Sequence, residues 1–268
     1  MPTSLRCARL VVPEHLAPRH RLVADSYGRV ASSYADAADR HVYRWLATPL
    51  VDAVRPLLDD NERVLDVAAG TGAVGRHFSR VVSADLSLDQ LRQGGADRPV
   101  VADGAQLPFA DATFTAAVSG FGINHLADPG MLVAEMARVA PVVGVTTWER
   151  PEAPFAPKQL VFEVLQRRFG QVRSEAGEVF DRYTDGVGTA DAVTAIMPGD
   201  RPHAVEVVEV DVPWPGVDAY LDYRLSMPTI TAIGTDTGVR GELRDAIGAL
   251  PPEDLRWRPR VIVGVAWR

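Results

Sequence analysis

The sequence predicts an α/β fold, a mostly parallel sheet with helices on both faces, and three observations carry that expectation. The run Arg63-Val64-Leu65-Asp66-Val67-Ala68 reads as a short strand covered on both sides, and it opens directly into the glycine turn Gly70-Thr71-Gly72. A second apolar run, Val81-Val82-Ser83-Ala84, closes on Asp85 after residues 73–78, which leave room for barely two helical turns. Further apolar runs then alternate with helical spacing, so that residues 60–150 hold five strands with helices between.

Each segment has its own reason. Residues 1–59 are expected to form a helical cap, because 22–38 and 42–58 carry apolar residues at helical spacing and Asp60-Asn61 breaks the chain before the first strand. Residues 60–150 form the core. Pro151, Pro154 and Pro157 mark a boundary, and 151–202 reads as helix and loop, with helical periodicity over 160–169. That stretch suits a helical lid over a substrate. In the remainder, 203–212 alternates as a strand, 217–225 reads as a helix and 261–267 as a last apolar strand, so 203–268 completes the sheet. No internal repeat or low-complexity tract is present.

Composition narrows the function. A chain of 268 residues with 47% hydrophobic content buries a large core and exceeds the usual single-domain size, so segments beyond the core are expected. A net charge of −7 and a pI near 5.4 argue against nucleic-acid partners, and the cluster Arg256, Arg258, Arg260 is too small to reverse that. No apolar run reaches about 18 residues, and the start lacks a basic region followed by an apolar stretch and cleavage site. A soluble, cytoplasmic protein with no membrane partner is expected. Cys7 is the sole cysteine, which excludes an intramolecular disulfide and cysteine-based zinc or iron–sulfur sites. Lys158 is the sole lysine among many arginines, a bias associated with GC-rich bacterial genomes and, through them, with specialised metabolism.

The glycine turn admits two cofactor readings. Gly70-Thr71-Gly72-Ala73-Val74-Gly75 fits G-x-G-x-x-G, the dinucleotide pattern, in which the ribose-binding acid lies about 20 residues beyond the glycines. Asp85 follows Gly70 by only 15 residues, and Asp66 stands four residues ahead of Gly70, where dinucleotide enzymes carry glycine or an apolar residue. The order of acid, glycine turn, short helix and second acid resembles the class I S-adenosylmethionine-dependent methyltransferases of the small-molecule type, whose V-L-D-V-G-C-G-T-G corresponds to Val64-Leu65-Asp66-Val67-Ala68-Ala69-Gly70-Thr71-Gly72. The resemblance runs on in register through Asp85-Leu86-Ser87, then Asp103-Gly104-Ala105-Gln106-Leu107-Pro108-Phe109, then Asp111-Ala112-Thr113-Phe114. One departure is Arg138-Val139-Ala140-Pro141-Val142-Val143-Gly144, a turn altered and shortened from R-V-L-R-P-G-G, so a loop beside the active site is expected to differ in shape.

The resemblance implies a Rossmann-like, seven-stranded, mostly parallel sheet with an antiparallel last strand, helices on both faces and a helical lid. It implies S-adenosylmethionine as cofactor. Asp85 would accept the ribose hydroxyls, Leu86 would pack on adenine, Asp103 would take the adenine amino group, and Gly104 and Ala105 would turn backbone toward the ring. Asp66, Ala68, Gly70 and Gly72 would hold the methionyl end, with Ser119 and Phe121 after the fourth strand. Tyr27-Gly28-Arg29-Val30-Ala31-Ser32-Ser33-Tyr34 resembles Y-D-x-x-A-x-x-Y, in which Tyr34, and less so Tyr27, would close over the cofactor; Tyr43, Arg44 and Trp45 would reach its carboxylate or simply pack.

The expected activity is methyl transfer to an O, N or C atom of a small-molecule acceptor in bacterial specialised metabolism. Two alternatives stand beside it: a non-methyl reaction such as cyclisation on the same fold, and a nicotinamide-dependent oxidoreductase. His125, after the fourth strand, is the candidate general base, with Asn124 beside it as a substrate-orienting or turn residue. Trp148, Glu149 and Tyr223 are the candidate substrate residues. Arg167 and Arg168, or Tyr220, Tyr223 and Arg224, would suit an anionic acceptor or remain solvated surface. No metal site is expected, and the oligomeric state is left open.

Overall fold

Side chains alternate strictly along the central strands, and that alternation builds two cores. Val64, Ala116, Val118, Val142, Val261 and Val263 face one side, while Leu65, Val67, Ala117, Val143, Val145 and Ile262 face the other. The protein is described by a computed structural model over residues 18–170, 172–228, 230 and 237–268. Cys7 and the first part of the expected N-terminal cap lie outside the described residues. The strands are β1 (Val64–Val67), β2 (Val81–Asp85), β3 (Pro99–Val101), β4 (Ala116–Gly120), β5 (Val142–Trp148), β6 (His203–Glu209) and β7 (Arg260–Ala266). They form one seven-stranded sheet in the order β3-β2-β1-β4-β5-β7-β6. β1 to β5 pair in parallel, and β7 runs antiparallel to both β5 and β6. This is the Rossmann-like sheet with a reversed last strand that the motifs imply.

The helices are α1 (Pro18–Arg29), α2 (Ala31–Tyr34), α3 (Arg44–Leu46), α4 (Thr48–Val54), α5 (Leu88–Gln93), α6 (Pro129–Val139), α7 (Ala156–Phe169), α8 (Glu175–Gly186), α9 (Ala190–Ile196), α10 (Val217–Ser226) and α11 (Thr237–Gly248). On one face Leu46, Leu50 and Val54 are fully buried; on the other, α6 buries Leu132, Val133, Met136 and Val139. Helix starts follow local chemistry. Asp128 accepts the Gly130 N–H at 3.1 Å with Pro129 in the first turn of α6, Ser174 caps α8 through Gly177 N–H at 3.0 Å, and Thr189 caps α9 through Ala192 N–H at 3.1 Å.

Several expectations are corrected. The two helical stretches expected over 22–38 and 42–58 run into each other, because Ala35–Tyr43 winds as a π-helix that joins α2 to α3; the regular winding is interrupted instead at Val30. The helix expected over 73–78 shrinks to the single 3₁₀ turn Gly75–His77. β6 ends at Glu209, and Val212 returns only as an isolated bridge to Trp257. The region 151–202 is not one lid: α9 lies against β6 and β7, with Val193 and Met197 in the sheet's second core. The cover over the site is instead assembled from the N-terminal helices, α7, α8, α10 and α11, with α10 packed on the π-helix and α11 on α7. The shortened turn at Ala140-Pro141 precedes β5, at the edge opposite the strands' carboxyl ends, so it is remote from the site. Arg201 binds it there, donating to the carbonyls of Ala137, Ala140 and Pro141 at 3.1–3.2 Å.

Candidate functional site

The carboxyl ends of β1, β2 and β4 open onto a cleft, about 1070 Å³ counted to its open mouth, lined by Ala68, Gly70, Asp85, Leu86, Asp103, Gly104, Phe121 and His125 and roofed by Tyr27, Tyr34 and Tyr43. The turn after β1 needs its glycines: Gly70 and Gly72 have φ of +53° and +80°, in the left-handed region. Ala68, where the family pattern has glycine, holds the same conformation at φ +55°, a position that strains an L side chain by roughly 1–2 kcal/mol. The loop keeps its shape with an alanine in it.

Asp85 fixes that loop. Its Oδ2 accepts the Gly70 N–H at 2.7 Å and its Oδ1 the Ser87 N–H at 2.7 Å, and burial raises its carboxyl above the ordinary range against those two hydrogen bonds. Each oxygen keeps a lone pair for a further donor, which suits a diol. Asp103 accepts the Ala105 N–H at 2.9 Å through Oδ1. That leaves its other oxygen for an amino group. Leu86 and Leu132 supply apolar walls, and the Gly70–Gly72 turn presents bare backbone. This donor and acceptor set fits adenosine with an amino-acid tail.

Six expected residues lie elsewhere. Asp66 is 1% exposed and sits under the turn, where Oδ2 accepts the Gly75 N–H at 2.8 Å; burial pushes its pKa up to about 7. It braces the loop from below. Gly72 faces the outer side of the turn, Ala105 is engaged with Asp103, and Ser119 is fully buried beside the cleft without lining it. Glu149 is drawn to Arg260, Oε2 to Nη1 at 3.0 Å, and Tyr223 lines a neighbouring cavity instead. Asn124 is buried and accepts the Thr147 hydroxyl at 2.6 Å, so it braces β5. Arg167 and Arg168 pair with Glu242 on the surface. Trp45 is exposed, with the Arg44 guanidinium 5.1 Å over its ring.

His125 does line the cleft. Its ring sits 5.2 Å from Tyr27 and 5.2 Å from Phe180, burial lowers its pKa to about 4, and Nδ1 has no hydrogen-bond partner among the described residues. Behind it, a second cavity is lined by Trp148, Phe155, Tyr220, Tyr223 and Trp257, together with the charged side chains Glu152, Lys158, Arg173, Asp181 and Arg224. Tyr43, Trp148 and Phe180 belong to both cavities. An unbroken series of rings joins the two spaces: Tyr34 on Tyr43 (5.6 Å), Tyr43 on Phe121 (5.5 Å), Phe121 on Trp148 (4.7 Å) and Trp148 on Trp257 (6.0 Å).

Sequence reasoning missed Gln90 and Phe180. Gln90 is almost fully buried and donates from Nε2 to the Tyr27 carbonyl at 2.8 Å, tying α1 to the cleft. Ser87-Leu88-Asp89-Gln90 carries the S-x-x-Q signature of a capping box, and Ser87 does accept the Gln90 N–H at 3.3 Å, but the glutamine side chain turns outward to the roof. Phe180 had no signal beyond helical periodicity. Among the described residues no cluster of histidine, cysteine or carboxylate side chains is arranged to hold a metal ion.

Known proteins agree with this architecture. A family described as "Methyltransferase domain" matches residues 65–145. A Demethylmenaquinone methyltransferase of Thermobifida fusca is 34% identical over 49% of this chain and 59% of its own length, and one of Renibacterium salmoninarum is 33% identical over 58% of this chain and 67% of its own. The chain thus spans about three-fifths to two-thirds of the length of these relatives. Two solved S-adenosylmethionine-dependent methyltransferases share the fold. One, from Thermotoga maritima, covers 91% of this chain and 99% of its own with a TM-score of 0.52 at 13% identity; the other, from Anabaena variabilis, covers 92% and 95% with a TM-score of 0.50 at 13% identity. With the acidic strand ends and the glycine turn gathered at one sheet edge, and with relatives alike in sequence and in fold, this chain belongs to the class I S-adenosylmethionine-dependent methyltransferases.

Proposed function

We propose that the protein transfers a methyl group from S-adenosylmethionine to an oxygen, nitrogen or carbon atom of an aromatic small-molecule acceptor seated in the cavity behind Trp148. One observation carries the reading: the cofactor cleft and the second cavity share Tyr43, Trp148 and Phe180, so two ligands would meet across one aromatic opening. Bound S-adenosylmethionine supplies a methyl group on a positively charged sulfonium. Asp85, Asp103 and the glycine turn hold one reactant and the ring-lined cavity holds the other, an alignment that supplies roughly 7–11 kcal/mol through effective molarity. The faces of Tyr43, Phe121 and Trp148 favour positive charge at the opening. His125 is neutral at physiological pH and lines the cleft, where a side-chain shift that uncovers its buried, unpartnered Nδ1 would let it accept a hydrogen bond from an acceptor hydroxyl and orient it.

The lysine-poor composition supports bacterial specialised metabolism as the setting. The shared name of the curated relatives supports a second reading, with demethylmenaquinone as acceptor. Every residue of the second cavity lies outside the matched span 65–145, so the broader acceptor class is the one adopted.

Calorimetric titration of S-adenosylmethionine and S-adenosylhomocysteine into the protein and into Asp85→Ala, with NAD as control, tests the cofactor. Micromolar binding that weakens at least tenfold in the variant is expected, since two buried hydrogen bonds to the loop and the diol acceptor are lost together. Binding of NAD alone would sink the reading. Counting methyl groups in the product by mass separates methyl transfer from cyclisation on the same fold.

A further inference from the structure

The second cavity carries a charge imbalance that points to its ligand, provided that this cavity is the acceptor site proposed above. Three cationic side chains line it, Lys158, Arg173 and Arg224, against two carboxylates, Glu152 and Asp181. Both carboxylates are already engaged. Glu152 pairs with Lys158 and, at 2.9 Å, with Arg150 Nη1; Asp181 meets Arg173 Nε at 2.9 Å and Arg150 Nη2 at 3.2 Å.

Arg224 is the charge left over. It is only 7% exposed, it makes no ion pair among the described residues, and its Nε and Nη2 meet no hydrogen-bond acceptor. The Phe162 ring, 5.3 Å away, attracts the cation but accepts no N–H. A buried guanidinium with no hydrogen-bonded anion among the described residues is an unfavourable state, because the nearby Glu152 charge, already paired elsewhere, offsets its desolvation only in part. One turn away on α10, the Tyr220 hydroxyl is likewise buried without a hydrogen-bond partner among the described residues. A guanidinium edge and a hydroxyl, both donors and both on one helix, match the two oxygens of a planar carboxylate. The rest of the cavity is aromatic, with Trp257 stacked at 6.0 Å on Trp148 and Tyr223 5.9 Å from Trp257.

We propose that the acceptor is an aromatic carboxylic acid whose carboxylate is held by Arg224 and Tyr220 and whose ring lies among Trp148, Tyr223 and Trp257. Arg224 and Tyr220 line the second cavity and not the cofactor cleft, so the carboxylate is the anchor and the far end of the molecule turns to the shared opening at Tyr43 and Phe180. The methylated product therefore keeps a free carboxylate and is not a methyl ester.

The test uses the protein saturated with S-adenosylhomocysteine and titrated with phenylacetate, 3-phenylpropionate and indole-3-acetate, each beside its neutral amide. At least one acid is expected to bind roughly tenfold or more tighter than its amide. That preference should vanish in Arg224→Met and return in part in Arg224→Lys, with S-adenosylhomocysteine affinity unchanged in both. If the wild-type protein binds S-adenosylhomocysteine but no acid outbinds its amide, the proposal is overturned and the cofactor reading stands. If it does not bind S-adenosylhomocysteine, the methyl-transfer reading falls and takes this proposal with it. The wild-type comparison decides the matter even where an Arg224 variant fails to fold.

Discussion

Two buried titratable residues oppose one another at the cofactor loop. Asp66 has a folded pKa of about 7, above its unfolded value, so the folded state binds the extra proton between pH 4 and 7 and stability falls as pH rises through that window. His125 has a folded pKa of about 4, below its unfolded value, so the unfolded state binds the extra proton and stability rises with pH up to about 6.5. The two slopes largely cancel. Asp66→Asn should leave the histidine slope exposed, making the ligand-free protein markedly less stable at pH 5 than at pH 7 relative to wild type. His125→Gln should do the reverse. The difference is on the order of 3 kcal/mol for the fully buried Asp66 and smaller for His125, whose ring is partly open to the cleft. Denaturant midpoints at pH 5, 6 and 7 read it, and parallel pH profiles in all three proteins would refute it. Asp66 also marks where the sequence stopped being informative. The motif placed an acid at the end of β1 among the cofactor residues, but whether it faced the ligand or the loop above depended on how the turn folds back onto Gly75.

Among the elements, the π-helix Ala35–Tyr43 explains most of what the sequence hid. Nine residues of α-helix rotate the chain by two and a half turns, which would put Tyr34 and Tyr43 on opposite faces. The wider i→i+5 winding makes about two turns of the same nine residues, so the two tyrosines stack on one side over the cleft. A search for 3.6-residue periodicity finds helical spacing on either side, over 22–38 and 42–58, and gives no sign of the wider winding between them. Asp39, from the same winding, pairs with Arg76, which also donates to the carbonyls of Thr71 at 3.2 Å and Gly72 at 3.0 Å. The roof and the glycine turn are therefore latched together. Arg76→Ala should cost about 1 kcal/mol of stability, a modest figure because the guanidinium is 43% exposed, and should weaken S-adenosylhomocysteine binding several-fold. Calorimetry with unchanged affinity would show that the latch does not shape the site. By contrast, β1, β2 and the cleft-lining positions Asp85, Leu86, Asp103 and Gly104 after β2 and β3 were legible from the sequence, because each depends on one residue type at a strand end.

For the molecule as a whole, legibility divides at Trp148. The cofactor side is built from consecutive β-loop units, so local pattern suffices. The acceptor side draws residues from the π-helix, β5, α7, α8, α10 and the approach to β7, and no window of sequence contains more than a fraction of it. The segments between these strands are shared out for the same reason: within 151–202 α9 packs on the sheet, while α10 and α11, from beyond 203, pack with the π-helix and α7. The same convergence gives Lys158 an unplanned use. It is the chain's sole lysine, and it lies in the wall of the acceptor cavity, 26% exposed and paired with Glu152. Burial lowers its pKa, which raises the share of neutral, nucleophilic amine. An amine-directed reagent would therefore find one side chain to acylate in the whole molecule, and mass spectrometry of the peptide containing it would report cavity occupancy: slower labelling with an aromatic acid bound, and unchanged labelling with S-adenosylhomocysteine alone.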